Sequence, residues 1–278
     1  MGEPAFDEQL EALEQERASV GMEGWGLTEV RGADAEGWLN DLVTASIDRL
    51  AEGEALRSFL LSPTGRIRAD VFVLRSRADD GYLLLQGPGQ PDAIADLLAP
   101  YVLSSEVELA PADPSGLHLG PRPGPSWTAG WEAPDAGSVT VGPEPLESWR
   151  IGHGMARFPV DLDPDSLPAE AGLDVEPVID RTKGCYLGQE SVARVRNLGH
   201  PPRVVLGVRA ETPLRPGAPV RSNGADVGSV TSVEPGTGLA GIVRVRWDAR
   251  ERELSADGEI PLERRGTPIG GPPILRGP

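Results

Sequence analysis

The run Lys183 Gly184 Cys185 Tyr186 Leu187 Gly188 Gln189 Glu190 gathers into one short segment the residue types that can do chemistry. It holds the only cysteine of the chain and, two positions earlier, the only lysine among 26 basic residues. Thiolate is the nucleophilic and metal-binding form of cysteine, and its population rises beside cations and at a helix N-terminus. Lys183 is a compact point charge, kept where this chain otherwise uses arginine. Gln189 to Asn197 reads as a short helix opening just after the cysteine. Gly184 and Gly188 permit backbone conformations closed to other residues and let a ligand come close, while Gln189 and Glu190 can hydrogen-bond polar edges. The expectation is a ligand-facing turn before a helix, with Cys185 and Lys183 as the reacting groups. The alternative is a small buried cysteine beside Tyr186, with two glycines that only turn the chain.

The elements that must position this turn read as a meandering α+β pattern. The first twenty residues are predicted to form an amphipathic helix on a solvated edge, with Leu10, Leu13 and Val20 inward. Trp25 to Val30 is strand-like and leads into Ala33 to Val43, where Ala35, Trp38, Leu39 and Leu42 recur at helical spacing after the cap candidate Asp34. Ala55 to Leu61 and Ile67 to Leu74 form a hairpin around Ser62 Pro63 Thr64 Gly65. Asp79 Asp80 Gly81 then turns into the strand Tyr82 to Gln86, and Pro91 to Tyr101 reads as helical. After Val204 the pattern becomes short β-runs, with Ser222 Asn223 Gly224 as a hairpin turn. The expected domains are an N-terminal helix (1–24), a first α+β lobe (25–110), a Pro/Gly-rich connection (111–144), a second lobe carrying the cysteine motif (145–200), a small β-barrel (201–265) and a flexible tail (266–278).

The formal charge of −17 argues against nonspecific grip on nucleic acid or on an anionic membrane, both of which rely on clustered basic side chains. Residues 201–278 carry eleven Arg against nine Asp plus Glu, so the negative excess lies in residues 1–200. Within that acidic part, Arg181, Lys183, Arg194 and Arg196 face only Glu190, an island able to hold an anion. No stretch approaches the roughly 18 apolar residues of a membrane helix, and the acidic start is the opposite of a secretory leader. A cytoplasmic location is expected, with one free cysteine in a reducing compartment.

Lys183 to Glu190, followed by Ser191 Val192 Ala193 Arg194, resembles the K-G-C-[FY]-x-G-Q-E signature of YgfZ proteins, relatives of the glycine-cleavage T-protein. The resemblance runs from about Gly26 to about Val245. Leu27 to Leu42 resembles the family's first strand and helix. Gly65 to Asp70 resembles its hairpin strand at the folate pocket, and Val227 to Ser232 the G-x-V-T-S hairpin of its C-terminal barrel. The resemblance implies a T-protein-like, two-lobed folate-binding α+β fold with a small C-terminal β-barrel, tetrahydrofolate as ligand, and a role in making or repairing iron–sulfur clusters with client enzymes or assembly machinery. It casts Asp70, Tyr186, Gln189, Glu190 and Arg194 as folate-binding residues.

Three positions depart from the T-protein pattern. Ala69 Asp70 stands where T-proteins have paired acids. Gly152 stands where they have a pterin-binding Glu, and Gln189 follows the motif glycine where they have Arg. Aminomethyltransferase activity is therefore not expected, and a one-carbon transferase is the runner-up. A Cys–His pair of Cys185 with His153 or His200 is a further enzymatic reading, and a pure scaffold a third. Asp161 Leu162 Asp163 Pro164 Asp165 starts like a calcium loop but lacks its glycine and final Glu, so it reads as a solvated turn. Arg244 and Arg246 alternate on a strand toward solvent or an acidic lobe.

Overall fold

A computed structural model describes residues 4–76, 81–123, 126–131, 137–172 and 177–265. The chain divides into two compact units, Met1–Gly142 with Val175–Ser191, and Pro143–Asp174 with Val192–Pro278.

The first unit is built on a nine-stranded sheet. Its strands are β1 (Ala18–Gly21), β2 (Gly26–Arg31), β3 (Glu54–Leu61), β4 (Ile67–Arg75), β5 (Tyr82–Gln86), β6 (Glu108–Ala112), β7 (His118–Gly120), β8 (Ser126–Gly130) and β9 (Val139–Thr140), in the order β6-β2-β5-β4-β3-β8-β7-β1-β9. Its helices are α1 (Phe6–Glu14), α2 (Ala35–Asn40) and α3 (Ile94–Leu98). β3, β4 and β5 are nearly continuous apolar runs because both of their faces are covered; Leu56, Leu60, Val71, Val73 and Leu84 join Leu39, Val43, Ile94 and Leu98 in one core cluster. The β3–β4 turn closes through the Gly65 N–H to the Ser62 carbonyl at 2.8 Å, with Gly65 at φ +76°.

The second unit holds α4 (Pro143–Gly152) and a closed barrel, whose strands are β10 (Arg203–Arg209), β11 (Pro219–Ser222), β12 (Ala225–Val233), β13 (Ala240–Arg246), β14 (Leu254–Ala256) and β15 (Ile260–Arg264). Antiparallel pairing of Val208 with Arg264 closes it and leaves no free edge. Val208, Val220, Val230, Val243 and Val245 fill its interior. Asn223 and Gly224 both have positive φ, the two-residue turn that matches strand twist, as their types predict. The last helix, α5 (Gln189–Leu198), begins in the first unit and ends in the second.

Several expectations need correction. The N-terminal segment is a shorter helix followed by a strand: Val20 lies in β1, which pairs with β7 and β9 inside the sheet. Residues 111–144 are more than a connection, since β7, β8 and β9 fall within them and join the sheet. These strands are two to five residues long between prolines and glycines, too short for alternation to show. The cysteine segment clusters with the first sheet and not with residues 145–174. Asp79, Asp80, Leu173 to Glu176 and the tail 266–278 lie outside the described residues.

Candidate functional site

Cys185 sits on a short tip held on both sides. Before it, the Asp180 N–H donates to the Thr44 carbonyl at 3.0 Å, and the Asp180 carboxylate accepts from the Thr182 N–H (2.6 Å), the Thr182 hydroxyl (2.8 Å) and the Lys183 N–H (3.0 Å). Burial disfavours the Asp180 charge, but these donors outweigh it and hold the carboxyl below its ordinary range. After the tip, the Leu187 N–H donates to the Asp41 carbonyl at 3.0 Å and the Leu187 side chain packs on the core of the sheet. Thr44, which follows the α2 turn, bonds the Val178 carbonyl through its hydroxyl at 2.8 Å. The segment 178–187 is thus hung on residues 41–45, the link from α2 toward β3.

Cys185 is an exposed residue, which removes the reading of a buried apolar cysteine. Lys183 does not point into solvent. Its Nζ donates to the carbonyls of Val43 at 2.8 Å and Ala45 at 2.7 Å and lies 5.6 Å from the centroid of the buried Tyr186 ring. Burial draws its pKa from 10.5 down to about 8, against the pull of Asp180, Asp41 and Asp48.

The two glycines differ. At Gly184 an added Cβ would meet nothing within 4 Å, whereas at Gly188, with φ +83°, it would lie 2.5 Å from the Ser62 carbonyl oxygen and 3.2 Å from Gly65 Cα. The close approach at Gly188 is therefore to the β3–β4 turn, not to a ligand.

Asp70, on β4, is bound bidentately by Arg57 of β3, Nε to Oδ1 at 2.9 Å and Nη2 to Oδ2 at 2.6 Å, with side chains 12% and 9% exposed. Gln90 brackets the Asp70 backbone, accepting from its N–H at 3.0 Å and donating to its carbonyl at 2.7 Å. Strand register puts Arg57 opposite Phe72, Phe59 opposite Asp70, and Ala55 opposite Trp127, so these side chains share one sheet face. The Trp127 and Phe72 rings are 4.7 Å apart, and Trp127 Nε1 is buried with no hydrogen-bond partner among the described residues.

The first unit thus carries Asp70, Lys183, Cys185, Tyr186, half-buried Gln189 and exposed Glu190. Arg194 is exposed on the part of α5 that belongs to the second unit. The two candidate histidines have local partners: His153 Nδ1 donates to the Trp149 carbonyl at 2.9 Å, and His200 stacks on Trp247 with ring centroids 5.1 Å apart.

Sequence reasoning missed a buried polar network in the second unit. Asp161, fully buried, accepts from Arg150 Nη1 (2.7 Å), the Arg157 N–H (2.9 Å), Thr231 Oγ1 (2.6 Å) and Ser232 Oγ (2.7 Å). Glu147 takes the other edge of the Arg150 guanidinium at 2.7 and 2.8 Å. Asp163 pairs with Arg244 at 2.5 Å, so neither the acidic run nor Arg244 is simply solvated. No local signal marked the Asp161 network, since Thr231 and Ser232 lie 70 and 71 positions from Asp161.

No family model matches the chain. A mitochondrial iron–sulfur cluster assembly factor IBA57 homolog from Pyricularia oryzae is 29% identical over 62% of this chain and 52% of its own length, so the chain spans about half of that relative. The tRNA-modifying protein YgfZ of an Enterobacter species is 25% identical over 65% of this chain and 68% of its own. The chain is thus similar in sequence to YgfZ and IBA57 proteins. The crystal structure of aminomethyltransferase T of the glycine cleavage system from Bartonella henselae superposes with a TM-score of 0.73 at 19% identity, covering 94% of this chain and 89% of that one, which establishes the α+β fold with its C-terminal barrel. The fold shared with a transferase leaves this YgfZ-like chain's own chemistry to its residues. Among the described residues no helix is long and apolar enough to cross a membrane, and no group of three His, Cys, Asp or Glu is placed to hold a metal ion.

Proposed function

We propose that this protein is a cytoplasmic, folate-binding accessory protein that supports iron–sulfur cluster assembly or repair in client enzymes. The observation that carries the reading is the exposed Cys185 on a tip pinned at both ends, within the motif shared with YgfZ proteins. A thiol presented in this way can meet a ligand or partner without the loop rearranging. One cysteine supplies one ligand, not the four a cluster usually takes, so a cluster in transit draws its other ligands from a partner.

The donor set of the first sheet suits folate. A pterin has a flat ring and polar edges, and the shared face carries Phe72, the Arg57–Asp70 pair and Trp127, whose buried N–H has no partner among the described residues; a buried donor without an acceptor costs about 1–3 kcal/mol. In this reading Trp127 donates to the ring and Asp70 uses lone pairs left by Arg57. Tetrahydrofolate, when bound, would supply N5 and N10 as carriers of one-carbon units. Aminomethyl transfer is disfavoured as this protein's own activity because both Asp70 oxygens are held by Arg57 and Gly152 has no side chain for the pterin.

Calorimetric titration with tetrahydrofolate is expected to show saturable binding, and an absence of heat at high micromolar folate removes the folate half. In a strain lacking the wild-type protein, Cys185→Ser is expected to lower iron–sulfur enzyme activities as far as the deletion does. Full activity with serine removes the thiol half.

A further inference from the structure

The carbonyls of Asp41, Val43, Thr44 and Ala45 all accept donors from the segment 180–187: the Leu187 N–H, Lys183 Nζ, the Asp180 N–H and Lys183 Nζ again. One side chain supplies two of these four bonds. Lys183 and Tyr186 flank Gly184 and Cys185 in the chain, and the lysine nitrogen lies over the Tyr186 ring.

We propose that Lys183 is a positioning residue, whose nitrogen grips the carbonyls of Val43 and Ala45 and thereby sets where Cys185 is presented. The choice of lysine in an arginine-rich chain follows. A compact amine on a flexible stem can turn its N–H groups from one atom onto carbonyls of alternate residues, whereas a guanidinium brings a larger, rigid planar fork to the same partly buried space. The grip also outlasts the charge. Burial lowers the pKa to about 8, with Asp180, Asp41 and Asp48 the acids that act on it, but a neutral amine still has two N–H groups for two carbonyls. The role is independent of whether folate or a cluster meets Cys185, so it stands or falls apart from the proposed function.

Because Lys183 is the only lysine, protein grown on ¹³C-lysine gives a single lysine side chain to observe. Its Cε is expected to relax as rigidly as the backbone both near pH 7 and near pH 10, and to titrate at about 8. Relaxation of a freely moving side chain near pH 7, or titration at the ordinary value near 10.4, overturns the proposal. In Lys183→Met and Lys183→Arg, amides of Lys183 to Leu187 are expected to exchange about tenfold faster while the barrel keeps its protection. Alkylation of Cys185 by neutral iodoacetamide, corrected for thiol ionisation, is expected to change about threefold or more in both variants. Unaltered exchange and alkylation, or rescue by arginine, overturns it. Should the variants fail to fold, the relaxation measurement on the wild-type protein decides.

Discussion

Asp161→Ala is expected to cost the second unit about 3–5 kcal/mol, because it leaves the Arg150 charge buried with one of its two carboxylate partners gone. Four donors converge on this fully buried carboxylate, and two of them, Thr231 and Ser232, come from β12 of the barrel while Arg150 comes from α4. The aspartate therefore ties the helix that precedes it to the barrel that follows it. Urea unfolding followed by circular dichroism measures the loss. A cost below about 1 kcal/mol would mean that water replaces the missing oxygens and that the network is not structural. Replacing both charges, Arg150→Met with Asp161→Leu, is expected to recover part of the stability. Burying a pair is expensive in itself, and breaking it costs more than removing it whole.

The same unit carries acid sensitivity. Burial pushes the Glu147 and Asp163 carboxyls up, but hydrogen bonds from Arg150 to Glu147, and from Arg244 and Ser166 to Asp163, outweigh burial and leave both below their ordinary values of 4.5 and 3.8. A carboxyl depressed in the folded state contributes stability above its unfolded pKa, and this is lost as pH falls through the lower folded value. The urea midpoint is therefore expected to hold from neutrality to about pH 5 and then to decline. Glu147→Gln should make the decline shallower, and an equally steep decline in that variant places the sensitive groups elsewhere.

Much of the first sheet was legible in the sequence because β3, β4 and β5 are strong apolar runs bounded by turn residues, and Ser62 to Gly65 and Asn223–Gly224 announce their turns by type. The strands between Pro111 and Thr140 were not, since each is too short to show a period and pairs with partners distant in sequence, such as Ala18 with Val139. The cysteine motif was legible as a unit, but not what each member does. Spacing put Lys183 beside the thiol, whereas the fold bends its side chain to two backbone carbonyls. The pairing of Asp70 with Arg57 was not legible either, because nothing local marks that arginine, thirteen positions earlier on the neighbouring strand, as its partner. Long-range polar pairing of this kind leaves no period in the chain, and the same reason hid Asp161.

Gly188→Ala is expected to be severe and Gly184→Ala mild, though both glycines flank the same cysteine. At Gly188 the backbone is left-handed, which costs an L-residue about 1–2 kcal/mol, and the new methyl would meet the Ser62 carbonyl and Leu61 Cβ at 2.5 and 3.0 Å, an overpacking of typically 1–3 kcal/mol. Neither neighbour can swing away: one is backbone and the other a buried strand residue, so a combined loss of about 2–5 kcal/mol is expected in thermal or urea unfolding. Leu187 and Gln189 would be displaced with it, disturbing the Leu187 N–H bond to the Asp41 carbonyl that anchors the Cys185 tip. At Gly184 the methyl meets open space, so stability should change by less than about 0.5 kcal/mol. That contrast gives Gly184 its diagnostic value. If Gly184→Ala folds like wild type yet supports iron–sulfur enzyme activity as poorly as Cys185→Ser, the space over Gly184 is where a ligand or partner comes close to the thiol. Wild-type activity in Gly184→Ala would place that approach elsewhere on the tip, and wild-type stability in Gly188→Ala would show that the motif does not rest on the β3–β4 turn.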